Sequence, residues 1–134
     1  MSVALKHVYL LADTVHQNHG PYHYAKASSL IQRVSKKYDQ LLNEDCDVFI
    51  MPTLNCLPCK LPSTDVTIGE KITTALDMVK NTAIFDGTGH PALSLNCGFS
   101  NKDGLPVGLM IVGKHWDEIC VLNVASIIEE VLKM

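Results

Sequence analysis

Cys56-Leu57-Pro58-Cys59 is the most conspicuous chemical pattern in the 134 residues. A redox dithiol needs its first Cys at a helix N-terminus, where the helix dipole lowers the thiol pKa. Here Pro62 follows almost at once and the surroundings read as loop, so that requirement is not met. A zinc site would need two further ligands, for which His16 and His19, with His23 in reserve, are the candidates. Their order and distance from the cysteine pair match no common zinc-ligand spacing. The thiols are therefore expected to pack as small apolar groups, and no metal or cofactor is expected.

His16, His19, His23, His90 and His115 are candidate general bases, but none has a nucleophile beside it in sequence. Lys26 with Ser28-Ser29 falls in a helical pattern, a poor setting for an exposed nucleophile, and helical packing accounts for it. Gly87-Thr88-Gly89 lacks the third glycine and the Lys-Ser/Thr of phosphate-binding loops.

The elements that must position these residues are legible from periodicity. Leu5, Val8, Ala12 and Val15 predict a helix over 3–15, broken by the stretch His16 through Pro21. Tyr24, Ala27, Ile31, Val34, Tyr38 and Leu41 predict a second helix over about 22–43, with Lys26, Arg33, Lys36 and Lys37 on its solvated face. Asp47 through Met51 reads as a buried strand stopped by Pro52, and 52–67 as a long irregular loop of the kind that lines sites. A third helix is expected over 68–80, then a break at Asp86 through Pro91. Ala92–Cys97 and Pro106–Val112 read as a strand pair, and a last helix starts near Asp117, a natural N-cap. The expectation is an α/β domain: a small mixed β-sheet flanked by α-helices in the order ααβαββα, with residues 1–134 in a single domain.

Composition narrows the class of function. Hydrophobic residues make up 47% and charged residues 19%, enough to build a core and too apolar for a disordered chain. A net charge of −3 has the wrong sign for a nucleic-acid partner. No apolar run reaches the roughly 18 residues of a membrane span, and the N-terminus does not read as a secretory signal. The odd number of cysteines, 5, in a chain able to form a core points to reduced thiols in a cytoplasmic setting.

A resemblance adds what spacing cannot. Thr88-Gly89-His90-Pro91-Ala92-Leu93-Ser94, Cys97-Gly98, Gly104 through Gly113 and Trp116-Asp117-Glu118 together resemble the C-terminal part of an amidase-signature enzyme. Asn81-Thr82-Ala83 with Phe85-Asp86, Asp47 through Thr53, and Tyr22 through Ala27 extend the likeness to nearly the whole chain. Within the family, the carboxamide hydrolases that act after nitrile hydration are the most similar subgroup. The resemblance implies a partial amidase-signature fold and hydrolysis of a carboxamide to a carboxylate and ammonia. It also implies a Ser–Ser–Lys triad in a Gly-Ser-rich stretch whose backbone N–H groups form an oxyanion hole.

Neither that stretch nor its Lys occurs in this sequence, so no catalytic residue is assigned and the chain alone is expected to be inactive. What is retained would be scaffold and pocket wall, an incomplete amidase domain, with Thr53, Thr88 and His90 as candidate linings for a small-molecule amide. Each also has a simpler reading in turn chemistry. Cys56, Cys59 and Asn96 depart from the family pattern, where Pro or small residues are more usual. Excised strands expose unpaired edges, and Ala92 through Cys97 carries no protecting charge or proline, so self-association is expected. The alternative is a free-standing, non-catalytic binding or regulatory domain.

Overall fold

Pro106–Gly113 is apolar or glycine throughout, a run that is stable only with both faces covered. The computed structural model describes residues 2–61, 63 and 65–133 and places this run as the central strand. In chain order the elements are α1 (Val3–His19), α2 (Tyr22–Glu44), β1 (Val48–Pro52), α3 (Ile68–Asp77), α4 (Ala83–Thr88), β2 (Ala92–Phe99), β3 (Pro106–Gly113) and α5 (Glu118–Lys133). The sheet order is β1-β3-β2, with Phe49 opposite Val112 on one side and Leu93 opposite Ile111 on the other.

Strand alternation divides β3 between two cores. Ile111 packs with Leu95, Val121 and Ala125 under α5, while Met110 and Val112 pack with Phe85, against Tyr38 of α2 and Ile84 of α4. Ile111 and Val112 are fully buried, each contributing about 2 kcal/mol by removal from water. The result is three layers: α5, the sheet, then α2 with α4.

Several local expectations shift. All three described strands run antiparallel, so the sheet is not mixed: β2 and β3 form a hairpin and β1 joins the far edge of β3. The expected break at Asp86 through Pro91 begins inside a short helix, α4, making the order ααβααββα. Burial of Phe85 anchors α4, and Gly89 ends it at φ 79, a left-handed conformation that glycine adopts without penalty. Helix α1 runs on to His19, because the true terminator is Gly20 at φ 60. On α2 the buried position is Leu42 rather than Leu41, and Tyr24 lies out in solvent. Lys26, Arg33, Lys36 and Lys37 are exposed as expected.

Caps follow local chemistry. Thr67 and Glu70 form a reciprocal capping box at α3, and that hydrogen bonding holds the Glu70 carboxyl below its usual value. Asp117 Oδ1 accepts from the Cys120 N–H at 3.3 Å, fulfilling the expected cap of α5. Asn96 Oδ1 accepts from the Gly98 N–H at 2.9 Å where the β2–β3 register shifts, so the unusual Asn serves the bulge. Just before α5, Trp116 takes φ 64 and is 92% exposed. Pro62, invoked above as a break, lies outside the described residues, and no described helix is long and apolar enough to cross a membrane.

Gly113 fixes how closely α5 approaches the sheet. A methyl group there would meet Val121 Cγ2 at 2.5 Å, and Val121 is a buried, β-branched side chain with stiff χ1. Gly113→Ala is expected to cost about 1–3 kcal/mol in urea unfolding, partly recovered by adding Val121→Ala. An unchanged midpoint would mean that α5 does not pack at this distance.

Candidate functional site

The site grows from two chain reversals held side by side. After α4, Gly89 turns the chain so that His90 and Pro91 lead into β2; after β3, the chain passes through Lys114 to His115. The Gly113 N–H donates to the Pro91 carbonyl at 3.0 Å, tying the two reversals together. The His90 and His115 rings therefore stack, with centroids 4.0 Å apart and planes 31° from parallel. Helix α2 presents Ser35 and Asp39, one turn apart, to this pair. Asp39 Oδ1 lies 3.4 Å from His90 Nε2 and 3.5 Å from His115 Nε2. Ser35 Oγ lies 3.4 Å from His115 Nε2 and donates a long bond to the Thr88 carbonyl.

His90 is the most enclosed member, its side chain having no exposed surface. Its Nδ1 meets Thr88 Oγ1 at 3.0 Å, while Nε2 has no hydrogen-bond partner. Burial pushes its pKa down, the neighbouring His115 adds to that, and the Asp39 carboxylate opposes both.

On its other side, His90 joins the wall of a cavity of about 300 Å³. Phe85 and Met110 give this cavity an apolar floor, and Thr53, Ser94 and Asp86 supply polar groups. The Thr53 and Ser94 hydroxyls share a hydrogen bond of 2.5 Å, and the Thr53 N–H donates to Gly108 O at 2.9 Å, extending the strand ladder past Pro52. Gly108 makes this closeness possible, since a Cβ there would lie 2.8 Å from Thr53 Oγ1 and 3.1 Å from Ser94 Oγ. Asn81 Nδ2 fixes the Pro52 carbonyl at 3.0 Å, so the start of the long loop is held at both ends.

Of the three residues singled out in sequence, Thr53 and His90 line the cavity, and Thr88 stands behind His90, buried and bonded to it. Ser94, Asp39, Ser35 and the role of His115 were not foreseen. The available signal was two polar residues, Ser35 and Asp39, in phase with the half-buried Ile31 and Tyr38 and the buried Leu42 on α2. Cys56 and Cys59 are exposed free thiols, with Cys59 Sγ 4.0 Å from Met78 Sδ. Among the described residues, the one group of three possible metal ligands is Asp39, His90 and His115, so the Cys–His zinc set is not assembled.

An antiparallel three-stranded sheet between α5 and α2 with α4, carrying a hydroxyl-lined cavity at one strand end, corresponds to part of a known enzyme fold. The Amidase family model matches residues 4–122, and the chain belongs to that family. It is 47% identical over 103 residues to the enantioselective amidase of Rhodococcus rhodochrous, covering 76% of this chain and 19% of that protein. It is also 45% identical over 107 residues to the Rhodococcus erythropolis "uncharacterized protein in nthA 5'region", covering 80% of this chain. The match spans 52% of that relative, so the chain corresponds to about half of one curated relative and about a fifth of the other. The structure of 6-aminohexanoate cyclic dimer hydrolase superposes with a TM-score of 0.71 at 24% identity, over 100% of this chain and 28% of that one, which establishes a shared fold.

The site has a pH signature. His90 should titrate below its ordinary value of 6.5 in an NMR titration with chelator present, and lower still in Asp39→Asn, which removes the opposing charge. Because the folded pKa is depressed, the unfolded chain binds more protons between that pKa and 6.5. Stability should therefore fall as pH drops below about 6.5 and flatten above it, with the slope reduced in His90→Gln. A His90 resonance titrating above 6.5 would contradict this account.

Proposed function

We propose that this chain supplies the substrate-facing wall of a hydrolase that converts a small-molecule carboxamide to a carboxylate and ammonia, with the Ser–Ser–Lys chemistry provided by polypeptide outside this sequence. Membership of the amidase family supports amide hydrolysis in general. The paired Thr53 and Ser94 hydroxyls offer a donor and acceptors to an amide group, and Phe85 with Met110 would take its apolar part. The free thiols suit a reducing, cytoplasmic setting.

The observation that carries this division of labour is uncovered apolar surface. No residue of α1 is buried, and Val8, Leu10 and Leu11 are more than half exposed. Helix α5 likewise turns Ile119, Ile127 and Val131 to solvent. Contiguous faces of this kind mark contacts with further polypeptide. Without it, the same faces and the outer edge of β2 would bring copies of the chain together.

Two measurements test the reading. Purified chain should release no ammonia from simple aliphatic or aromatic amides. Mixed with a polypeptide carrying the family's Ser–Ser–Lys region, it should support release, with KM raised up to about tenfold by Ser94→Ala, the effect of one lost hydrogen bond. Turnover by the chain alone that is abolished by Ser28→Ala or Ser29→Ala would place the chemistry on α2 instead and overturn the proposal. In light scattering the isolated chain should self-associate; a monodisperse, cooperatively melting monomer would favour a free-standing binding domain.

A further inference from the structure

Independently of the amide reading, we infer that Asp39, His90 and His115 form a binding site for a zinc-like divalent cation. Their candidate ligand atoms all lie within 4.8 Å of one another. Two imidazoles and a carboxylate are the donor set that borderline-soft divalent ions prefer.

The carboxylate–imidazole distances suit a ligand set. His90 Nε2 to Asp39 Oδ1 is 3.4 Å, and His115 Nε2 to Asp39 Oδ1 is 3.5 Å. Both exceed the usual 2.7–3.2 Å of an N–H···O hydrogen bond. They match the separation of about 3.3 Å between two ligands of a tetrahedral ion with bonds near 2.05 Å.

Burial makes the point sharper. His90 Nε2 has no accessible surface and no hydrogen-bond partner, a condition that costs free energy unless something fills it. Thr88 Oγ1 engages Nδ1, which leaves Nε2 facing the Asp39 carboxylate oxygen, where a cation would bond to both. That Nδ1 bond also fixes the ring orientation, as the partners of metal-bound histidines commonly do.

Asp39 and His115 are partly exposed, at 40% and 32% of their side chains, which gives an ion a path from solvent. Ser35 Oγ, 3.4 Å from His115 Nε2, stands where a fourth ligand or a bound water would be received. The consequence is mechanical. The ion would cross-link the middle of α2 to the reversals that enter β2 and leave β3, stiffening the wall behind the cavity.

The test is calorimetric titration of the full chain with Zn²⁺, together with absorption spectra of the Co²⁺ form. The expected result is one equivalent of Zn²⁺ bound, a rise in Tm, and visible Co²⁺ bands without near-ultraviolet thiolate charge transfer. Asp39→Asn and His115→Ala, at partly exposed positions where the fold is retained, should each weaken binding by at least about tenfold and abolish the Tm rise. Cys56→Ser with Cys59→Ser should leave both unchanged. No stoichiometric binding, a thiolate band, or binding lost in the cysteine variant and kept in Asp39→Asn would each overturn the inference.

Discussion

Everything in this domain depends on β3 being wrapped on both faces. Its odd-numbered side chains belong to the core under α5 and its even-numbered ones to the core under α2 and α4. A one-residue slip in register would exchange the two sets and ruin both cores, so burial pins the pairing with β1 and β2 strongly. Glycine at 113 then lets α5 come close. Because β3 is fixed, the segments at its end and at the start of β2 are fixed too, and these carry His115 and His90.

The same constraint builds the cavity whose wall His90 joins. Thr53 follows β1, Ser94 lies on β2, and Gly108 on β3 sits between them. A strand without a side chain at that position allows two hydroxyls from its opposite neighbours to touch. The hydroxyl pair is thus a product of sheet register, and its rigidity comes from backbone pairing rather than from loop contacts.

How much of this was legible in the sequence varies with the physics involved. Helices α2 and α5 follow from periodicity because their apolar positions meet one core each, and the three strands from short apolar runs bounded by turn residues. The short helix α4 is invisible to periodicity: it holds Gly87, lasts under two turns, and exists because Phe85 fills a hole between α2 and the sheet. Local propensity cannot report such tertiary support. Thr53 and His90 were reachable through the family pattern, whereas Ser94 becomes notable only once Thr53 is seen across Gly108. Asp39 reads as one more charge on a polar helix until the fold turns it toward two histidines that lie 51 and 76 residues downstream.

Trp116, the sole tryptophan of the chain, extends into solvent beside His115 from a left-handed backbone position. An indole so fully hydrated already emits as it would in an unfolded chain. The intrinsic fluorescence of this protein is therefore nearly blind to melting of its core. It is instead a resident probe of the outer face next to His115: a blue shift would report that another surface has come down over that corner, with no label added.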